Sequence, residues 1–204
     1  MDLWDCIDEK IWRQAEDNYW KLIRPENVKL EQEMEVLSAE SVKNMTPEEF
    51  YSFLYNRYFV WKYTAKNRLA TTRMWLRYYE NHLNELEIIH QKLFTFNQSD
   101  IAAGLRIATS IKGLGYAGAS GLLAVLFPDY FGTVDQFVAA RLKEFSAFSE
   151  DDTIQRINEQ SIKEKEAVYM EKLFRKKAAE LNLLNQVTYW TPRKIDKVLW
   201  GYQR

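Results

Sequence analysis

Apolar residues recur along most of this chain at intervals of three and four, the spacing that places them on one face of an α-helix. The first such segment, residues 3–23, ends before Pro25, and its apolar positions are Leu3, Ile7, Ile11, Ala15 and Tyr19. Further helical segments are predicted at 71–94, at 154–184 and from Thr191 onwards. No stretch alternates apolar and polar residues as a half-buried strand does. The pattern predicts an all-α fold, with residues 1–204 forming one multi-helix domain.

The segment from residue 50 to 63 carries more aromatic side chains than one apolar stripe of a helix can hold. It follows a polar stretch, residues 25–45, and a helix start at Thr46-Pro47-Glu48-Glu49. Its rings either fill the core or form a surface on which a nucleic-acid base stacks. Trp61 and Tyr63 are the candidates for lining such a base pocket.

A tight turn joins two apolar helical segments in the middle of the chain. The first, Ile101 to Ile111, is opened by Ser99-Asp100, and the second starts near Tyr116. Gly113-Leu114-Gly115 supplies the backbone freedom of the turn. The small residues of the second segment, Ala117 to Gly121, are expected to let the first helix cross closely. Such a helix-hairpin-helix leaves backbone N–H groups at a helix N-terminus, where an anion such as a phosphate is favoured.

From residue 99 to 141 the sequence resembles the helix-hairpin-helix DNA glycosylases, the HhH-GPD superfamily. Their hairpin reads apolar-x-Gly-apolar-Gly-x-x-x-Ala, which matches Ile111 to Gly115 with Ala119 at the alanine position. Pro128 and Gly132 stand in the following loop, and Asp135 lies 20 positions after Gly115, close to the interval that is usual in the family. The resemblance implies a glycosylase-like helical fold around this central motif.

Two positions depart from the family pattern. Relatives that also cut the strand carry a lysine two positions after the second hairpin glycine, and this chain has Ala117 there. The resemblance is therefore to a monofunctional member without a Schiff-base nucleophile in the motif. The arginine that often follows the aspartate by five positions is displaced by one, since Arg141 comes six after Asp135.

The resemblance implies hydrolysis of an N-glycosidic bond in double-stranded DNA, as in base-excision repair. Asp135 would be the catalytic carboxylate, which stabilises the positive charge on the deoxyribose and orients or deprotonates a water. The damaged or modified base would leave the stack and enter a pocket. The residues expected to hold the DNA backbone are Lys112, Gly113, Leu114, Gly115, Tyr116 and Arg141.

Each of these features also has a purely structural interpretation. Asp135 opens the apolar segment Gln136 to Phe145, so it is equally a helix N-cap, and the two roles are compatible. The hairpin is also explained as a close-packed turn between helices. The alternative function is thus a non-catalytic helix-hairpin-helix module that binds DNA or another protein, and a further one is a helical scaffold that touches no nucleic acid.

Composition limits the chemistry and the partners. The net charge is −1, so any DNA contact is expected to be local. Arg106, Lys112, Arg141 and Lys143 either form a local basic face or, as is more usual for each one singly, are solvated surface charges, while the run Arg175 to Lys177 is expected to face solvent. Cys6 is the only cysteine, and His82 and His90 lie eight positions apart, so no metal site and no cofactor are expected. No apolar run reaches membrane-spanning length, and the first residues lack the charged segment followed by an apolar run that a secretory signal needs, which predicts a cytoplasmic protein without a membrane partner. The sequence leaves the oligomeric state open.

Overall fold

The computed structural model describes residues 2–202, which form helices and no strand. The all-α prediction is confirmed for this range. Short 3₁₀ segments and one π-helical segment connect some of the helices. The α-helices are α1 Glu9–Leu22, α2 Val28–Glu35, α3 Ala39–Lys43, α4 Pro47–Phe53, α5 Phe59–Lys62, α6 Lys66–Leu76, α7 Leu83–Leu93, α8 Ile101–Thr109, α9 Tyr116–Leu126, α10 Gln136–Glu144, α11 Asp152–Gln155, α12 Glu164–Asn185 and α13 Pro192–Gly201.

Several regions depart from the helices that the apolar spacing predicts. The segment 3–23 is helical as α1 only from Glu9, and the segment 154–184 is interrupted between α11 and α12. The polar stretch 25–45 contains α2 and α3, and it buries Glu31 and Met34. The segment 71–94 is not one helix, because a 3₁₀ segment at Arg77–Asn81 separates α6 from α7. A 3₁₀ turn has three residues per turn, so it shifts every later residue out of the 3.6-residue register. The buried residues of α6 and α7 therefore do not form one stripe, and Trp75, expected on the same side as Leu86 and Leu93, is 57% exposed.

The aromatic segment that begins with α4 is divided between the core and a cavity. A π-helical stretch, Leu54–Tyr58, lies between α4 and α5 and adds a residue to the turn, so the rings do not share one stripe. The core takes Phe50, Phe53, Tyr58 and Phe59. Trp61 stays half-buried, which makes it available to a neighbouring cavity.

The last helix, α13, lies at the centre of the fold, packed against α1, α10 and α12. Thr191 caps it, accepting a hydrogen bond from the Lys194 N–H at 3.3 Å. It buries the apolar residues Ile195, Val198 and Leu199. Because it is covered on several sides, it also buries charged side chains. The buried charged residues of α13 are Arg193, Asp196 and Lys197.

The two helices around the central turn, α8 and α9, pack together as expected, but the small residues of α9 accommodate a different neighbour. A Cβ on Gly118 would stand 2.3 Å from the Tyr63 hydroxyl oxygen, and one on Gly121 would stand 2.8 Å from that of Tyr58. The Tyr58 hydroxyl donates a hydrogen bond to the Gly118 carbonyl. These glycines therefore allow the aromatic segment, rather than α8, to approach α9 closely.

Two of the three residues of the basic run in α12, Arg175 and Lys177, do not form the solvent face that the sequence predicts, whereas Lys176 is exposed. Lys177 is 4% exposed, and its ammonium donates a hydrogen bond to the Trp4 carbonyl at 2.7 Å. Arg175 donates to the carbonyls of Tyr130 and Ser99 at 2.7 and 2.9 Å. Both cations thus join distant segments to α12. Among the helices of residues 2–202, none combines the length and apolarity needed to cross a membrane.

Candidate functional site

Asp135 caps α10 with one carboxylate oxygen and faces a lysine with the other. Its Oδ1 accepts hydrogen bonds from the N–H groups of Phe137 and Val138, at 3.0 and 3.1 Å. Its Oδ2 lies 3.4 Å from the Lys62 ammonium, and the two side chains are 19% and 9% exposed. The capping interpretation is therefore correct. The same carboxylate also keeps one oxygen in a semi-enclosed, charged environment.

The backbone that leads to Asp135 is held by side chains from distant parts of the chain. The Gly132 N–H donates to Glu171 Oε2 at 2.9 Å, and the Thr133 N–H donates to Asp196 Oδ2 at 2.5 Å. The Val134 N–H donates to Ser120 Oγ on α9 at 3.0 Å. Three successive amides are thus anchored to α12, α13 and α9, which fixes the position of Asp135 relative to the core.

Asp135 and Trp61 line one cavity of about 310 Å³. This volume lies at the lower end of the range for small-molecule sites in proteins, which is about 300–1,000 Å³. The aromatic lining residues include Trp200 and Phe137 from helices on either side. The polar ones are Arg24, Asn27, Glu31, Lys62, Thr64, Thr133, Asp135, Arg193 and Asp196. The arrangement offers flat apolar walls with a small number of charged groups.

A buried hydrogen-bond network lies beneath this cavity and is centred on Arg193. The guanidinium forms ion pairs with Asp196 at 2.9 Å and with Glu31 at 3.2 Å. Glu31 also accepts hydrogen bonds from the Tyr19 hydroxyl at 2.5 Å and from the Trp61 indole at 2.6 Å. The indole ring of Trp61 is therefore held in place by a carboxylate that is itself neutralised by Arg193.

Burial is the largest single influence on the pKa values of Asp196, Glu171 and Arg193. It raises the pKa of Asp196 to about 6, although Arg193 and the Thr133 amide act in the opposite direction. It also raises the pKa of Glu171 well above the usual range, against the opposing effect of the Gly132 amide. For Arg193, burial would lower the pKa, but the nearby acidic groups, led by Asp196, outweigh it and raise the pKa. Both groups that anchor Gly132 and Thr133 therefore favour their neutral forms more than an exposed carboxyl does.

The turn between α8 and α9 is supported from below by α6 and open on its outer side. Gly113 has φ +95°, and a Cβ there would meet the Thr72 carbonyl oxygen at 2.6 Å. Gly115, the N-cap of α9, has nothing within 4 Å of a Cβ position. The Lys112 ammonium lies 4.2 Å from the centre of the Tyr78 ring. The first glycine is thus required by the fold, whereas the second leaves accessible space at a helix N-terminus.

The remaining residues of the sequence-predicted site lie in several places. Leu114 is buried in the turn, and the Tyr116 hydroxyl donates to Glu164 at 3.2 Å. Tyr63 packs beside Gly118 and is not among the residues that line the cavity of Trp61 and Asp135. Arg141 forms an ion pair with Glu144 and lies near the Tyr202 ring, also outside the cavity lining.

The local basic face expected around the motif does not form as a set of unpaired cations. Arg106 pairs with Glu164 at 2.5 Å, and Lys143 pairs with Glu159 at 2.8 Å. Arg141 is paired as well. Lys112 is the member of the four that forms no ion pair within residues 2–202.

The sequence interpretation missed Lys62, Glu31, Arg193 and Asp196, although all four line the cavity. Lys62 is 73 positions from Asp135, so no local spacing connects them. The α13 pair had one signal: Arg193 and Asp196 are three residues apart in a helix that also carries Ile195, Val198, Leu199 and Trp200. An ion pair at this spacing on a fully covered helix is consistent with a buried pair rather than a solvated face.

The two histidines have structural contacts. His90 is hydrogen-bonded to the Val42 carbonyl at 2.9 Å, and His82 stacks on Tyr78 at 3.9 Å between ring centres. In residues 2–202 no cluster of three or more His, Cys, Asp or Glu side chains is placed to hold a metal ion.

Comparison with family models, curated proteins and solved structures finds no significant match to this chain, so known proteins offer no guide to the site. Its function is therefore inferred from its own residues.

Proposed function

We propose that this protein is a monofunctional DNA N-glycosylase that acts on a damaged or modified base, with Asp135 as its catalytic carboxylate. The observation that carries the proposal is the position of Asp135. Its Oδ1 is used in capping α10, while its Oδ2 is directed to Lys62 in a cavity lined by Trp61. This combination supports the resemblance of residues 99–141 to the helix-hairpin-helix glycosylases.

The reaction would break the bond between C1′ of the deoxyribose and the base nitrogen. Positive charge develops on the sugar as this bond lengthens, and a fixed carboxylate stabilises it. A water then adds to C1′, Asp135 takes up its proton, and the leaving base nitrogen receives a proton from solvent. Lys62 would hold Asp135 in place as an ion-pair partner. Trp61, fixed by its bond to Glu31, would offer a flat surface to the extruded base.

The turn between α8 and α9 would bind the DNA backbone. Gly115 is exposed, so a phosphate can approach the N-terminus of α9 without meeting a side chain. Lys112 is exposed beside it and contributes a positive charge. Ser120, about one and a half helical turns further along α9, holds the Val134 amide and hence the loop of Asp135. One helix would thus link phosphate binding to the position of the carboxylate.

One observation favours the alternative, a DNA-binding module without catalysis. Both oxygens of Asp135 already have partners, since Oδ1 caps α10 and Oδ2 pairs with Lys62. A carboxylate with these contacts has a complete structural role. The two candidate functions share the turn as a DNA contact and differ in whether a base is released.

Substitutions at Gly115 test the shared part of the proposal. Gly115→Asp places a negative charge where the phosphate would bind, while Asp remains a favourable N-cap. We expect thermal stability at or above that of the wild type, and DNA affinity about tenfold weaker at low salt. The matched control is Gly115→Asn, which adds the same shape without charge and should weaken binding less. Equal DNA affinity in the wild type and both variants would mean that the turn does not contact DNA.

Base release decides between the two functions. Duplexes that each carry one damaged or modified base are incubated with the protein and then treated with alkali to reveal abasic sites. Release from any of them supports the glycosylase, and binding without release supports the module. Strand cutting before alkali that is lost in Lys62→Gln would identify the lysine as a nucleophile and contradict the monofunctional assignment.

A further inference from the structure

Basic residues are concentrated in one part of this nearly neutral chain. Residues 50–79 contain no Asp or Glu, although the whole chain has 29 acidic residues. The cations in this segment are Arg57, Lys62, Lys66, Arg68, Arg73 and Arg77. Arg57 pairs with Glu33 and Lys62 pairs with Asp135. The other four, on α6 and the residue that follows it, form no ion pair within residues 2–202.

This basic helix is directly adjacent to the turn between α8 and α9. The Thr72 carbonyl of α6 lies against Gly113. The Tyr79 hydroxyl donates to the Ser110 carbonyl at 3.1 Å and accepts from the Lys112 N–H at 3.2 Å. Lys112 itself lies over Tyr78. The middle of α6 and the Tyr78–Tyr79 pair that follows it therefore lie directly against the turn that precedes α9.

Large apolar side chains are exposed on the same helix. Trp75 is 57% exposed and Met74 is 58% exposed. Neither joins the hydrophobic core or packs against it. The cations Arg73 and Arg77 flank them, and these guanidinium groups lie 4.4 and 6.0 Å from the centre of the Tyr55 ring. An exposed indole beside cations is a combination typical of surfaces that bind nucleic acid.

The charge and the indole together define the partner. Arg73 donates hydrogen bonds to the Tyr55 carbonyl and Arg77 donates to the Tyr55 hydroxyl, so neither loses its positive charge to a carboxylate. Cations without carboxylate partners complement a polyanion, and a nucleic-acid backbone supplies regularly spaced negative charges. An exposed indole complements a base that has left its stack, because every base has a π-face on which an aromatic ring stacks. A membrane surface is the weaker match, since a single Met–Trp pair on an eleven-residue helix gives little area to insert.

We infer that α6 is a DNA-binding helix, in which Lys66 and Arg68 contact phosphates and Trp75 stacks on an unpaired base of the duplex. The choice of DNA as the polyanion rests on the proposed function. The binding surface would then extend from the turn at Gly115 across α6. Its preferred ligand is a duplex with one unpaired base, rather than a perfectly paired one.

Fluorescence anisotropy with labelled duplexes tests this surface in the full-length protein. The probes are a perfectly paired duplex, the same duplex with one unpaired base, an RNA duplex of the same sequence, and phosphatidylserine vesicles. The double variant Lys66→Glu/Arg68→Glu should bind both DNA probes at least about tenfold more weakly, with a lower dependence on salt. Its matched control is Lys10→Glu/Lys176→Glu, the same charge change at exposed positions on α1 and α12.

Trp75→Ala should weaken binding to the duplex with the unpaired base by about tenfold and affect the paired duplex less. The matched control is Leu183→Ala, which removes an apolar side chain that is 78% exposed on α12. These four variants change exposed residues, so circular dichroism should show that all of them remain folded.

Five results would overturn the inference: wild-type affinity in both α6 variants, equal losses in the controls, no DNA binding by the wild type, preference for RNA, or tighter binding to vesicles than to DNA. Base release is measured separately, at protein concentrations that saturate the DNA. Weakened binding in the α6 variants with no base release by the wild type would leave this inference standing and reject the glycosylase.

Discussion

Two aspartates in this protein cap helices in nearly the same way but are reached by different kinds of loop. Asp135 accepts the N–H groups of Phe137 and Val138 at 3.0 and 3.1 Å, and Asp151 accepts those of Thr153 and Ile154 at 2.9 and 3.1 Å. The second oxygen of Asp151 is taken by the Tyr169 hydroxyl at 2.6 Å. That of Asp135 faces Lys62 at the cavity.

The loops that precede these caps differ in how their backbone is held. Before Asp151, the amides of Phe148, Ser149 and Asp151 bond to carbonyls three residues earlier, and the Ser146 N–H at the start of the 3₁₀ segment is the one that donates to a distant side chain, Asp2. Before Asp135, the amides of residues 132–134 bond to side chains that come from 14 to 63 positions away. A loop of the first kind depends mainly on its own sequence. One of the second kind depends on the charged core beneath it, so the position of Asp135 should respond to changes in that core.

The largest effect is expected from Arg193→Met, which leaves Glu31 and Asp196 buried without their cation. Removing one partner of a buried ion pair costs about 3–5 kcal/mol, so urea unfolding should show a loss of that order. The control is Arg156→Met, whose partner Asp152 is, like Arg156 itself, 79% exposed. That change should cost less than about 1 kcal/mol. If Arg193→Met and Arg156→Met lost similar amounts of unfolding free energy, the network of Arg193, Glu31 and Asp196 would not stabilise the fold, and hence would not support the Asp135 loop that Asp196 anchors.

A smaller effect is expected on the pH dependence of stability, through Asp196. Its pKa is raised to about 6 in the folded protein, from 3.8 for an ordinary aspartate, so the folded state binds this proton more tightly than the unfolded state. Its contribution is therefore fully present below about pH 4 and is lost as the pH rises to about 6. The side chain of Asp196→Asn has no proton to lose. Between about pH 4 and pH 6, the free energy of unfolding of this variant should therefore fall by about 2 kcal/mol less than that of the wild type.

Glu171 provides a second check in the same direction. Burial raises its pKa well above the usual range, so Glu171→Gln also replaces a group whose neutral form is favoured. Urea midpoints measured from pH 4 to pH 7 should show a shallower decline for each variant than for the wild type. If the urea midpoints of both variants declined as steeply as that of the wild type, ionisation of Asp196 and Glu171, which anchor the Asp135 loop, would not affect stability.

The sequence predicts the local features of this molecule better than the long-range ones. The all-α fold, the cap at Asp135 and the turn at Gly113 follow from short-range spacing and from glycine conformation, and each is present. Lys62 beside Asp135 could not be predicted, because the pair is created by packing between segments that are 73 positions apart. The buried charges of α13 were missed for a related reason: how many neighbours cover a helix is a property of the whole fold.

The basic α6 surface falls between these cases. Its lack of acidic residues is visible in the sequence, but its adjacency to the turn at Gly113 depends on tertiary packing. The four cations expected around the motif illustrate the opposite error, because Arg106, Arg141 and Lys143 acquire carboxylate partners when the chain folds. The charge of a surface is thus predictable from sequence only where no opposite charge is within reach.

Base release by Asp135→Asn, compared with Asp151→Asn, tests the central claim most directly. Asn caps helices about as well as Asp, so both variants should keep their helices. Asp135→Asn should lose more stability than Asp151→Asn, because it leaves the Lys62 ammonium, 9% exposed, without its carboxylate partner. On a duplex whose base the wild type releases, the account predicts that Asp135→Asn binds the DNA but releases no base, while Asp151→Asn remains active. Release by Asp135→Asn at the wild-type rate would contradict it, because the carboxylate would then be a cap and nothing more.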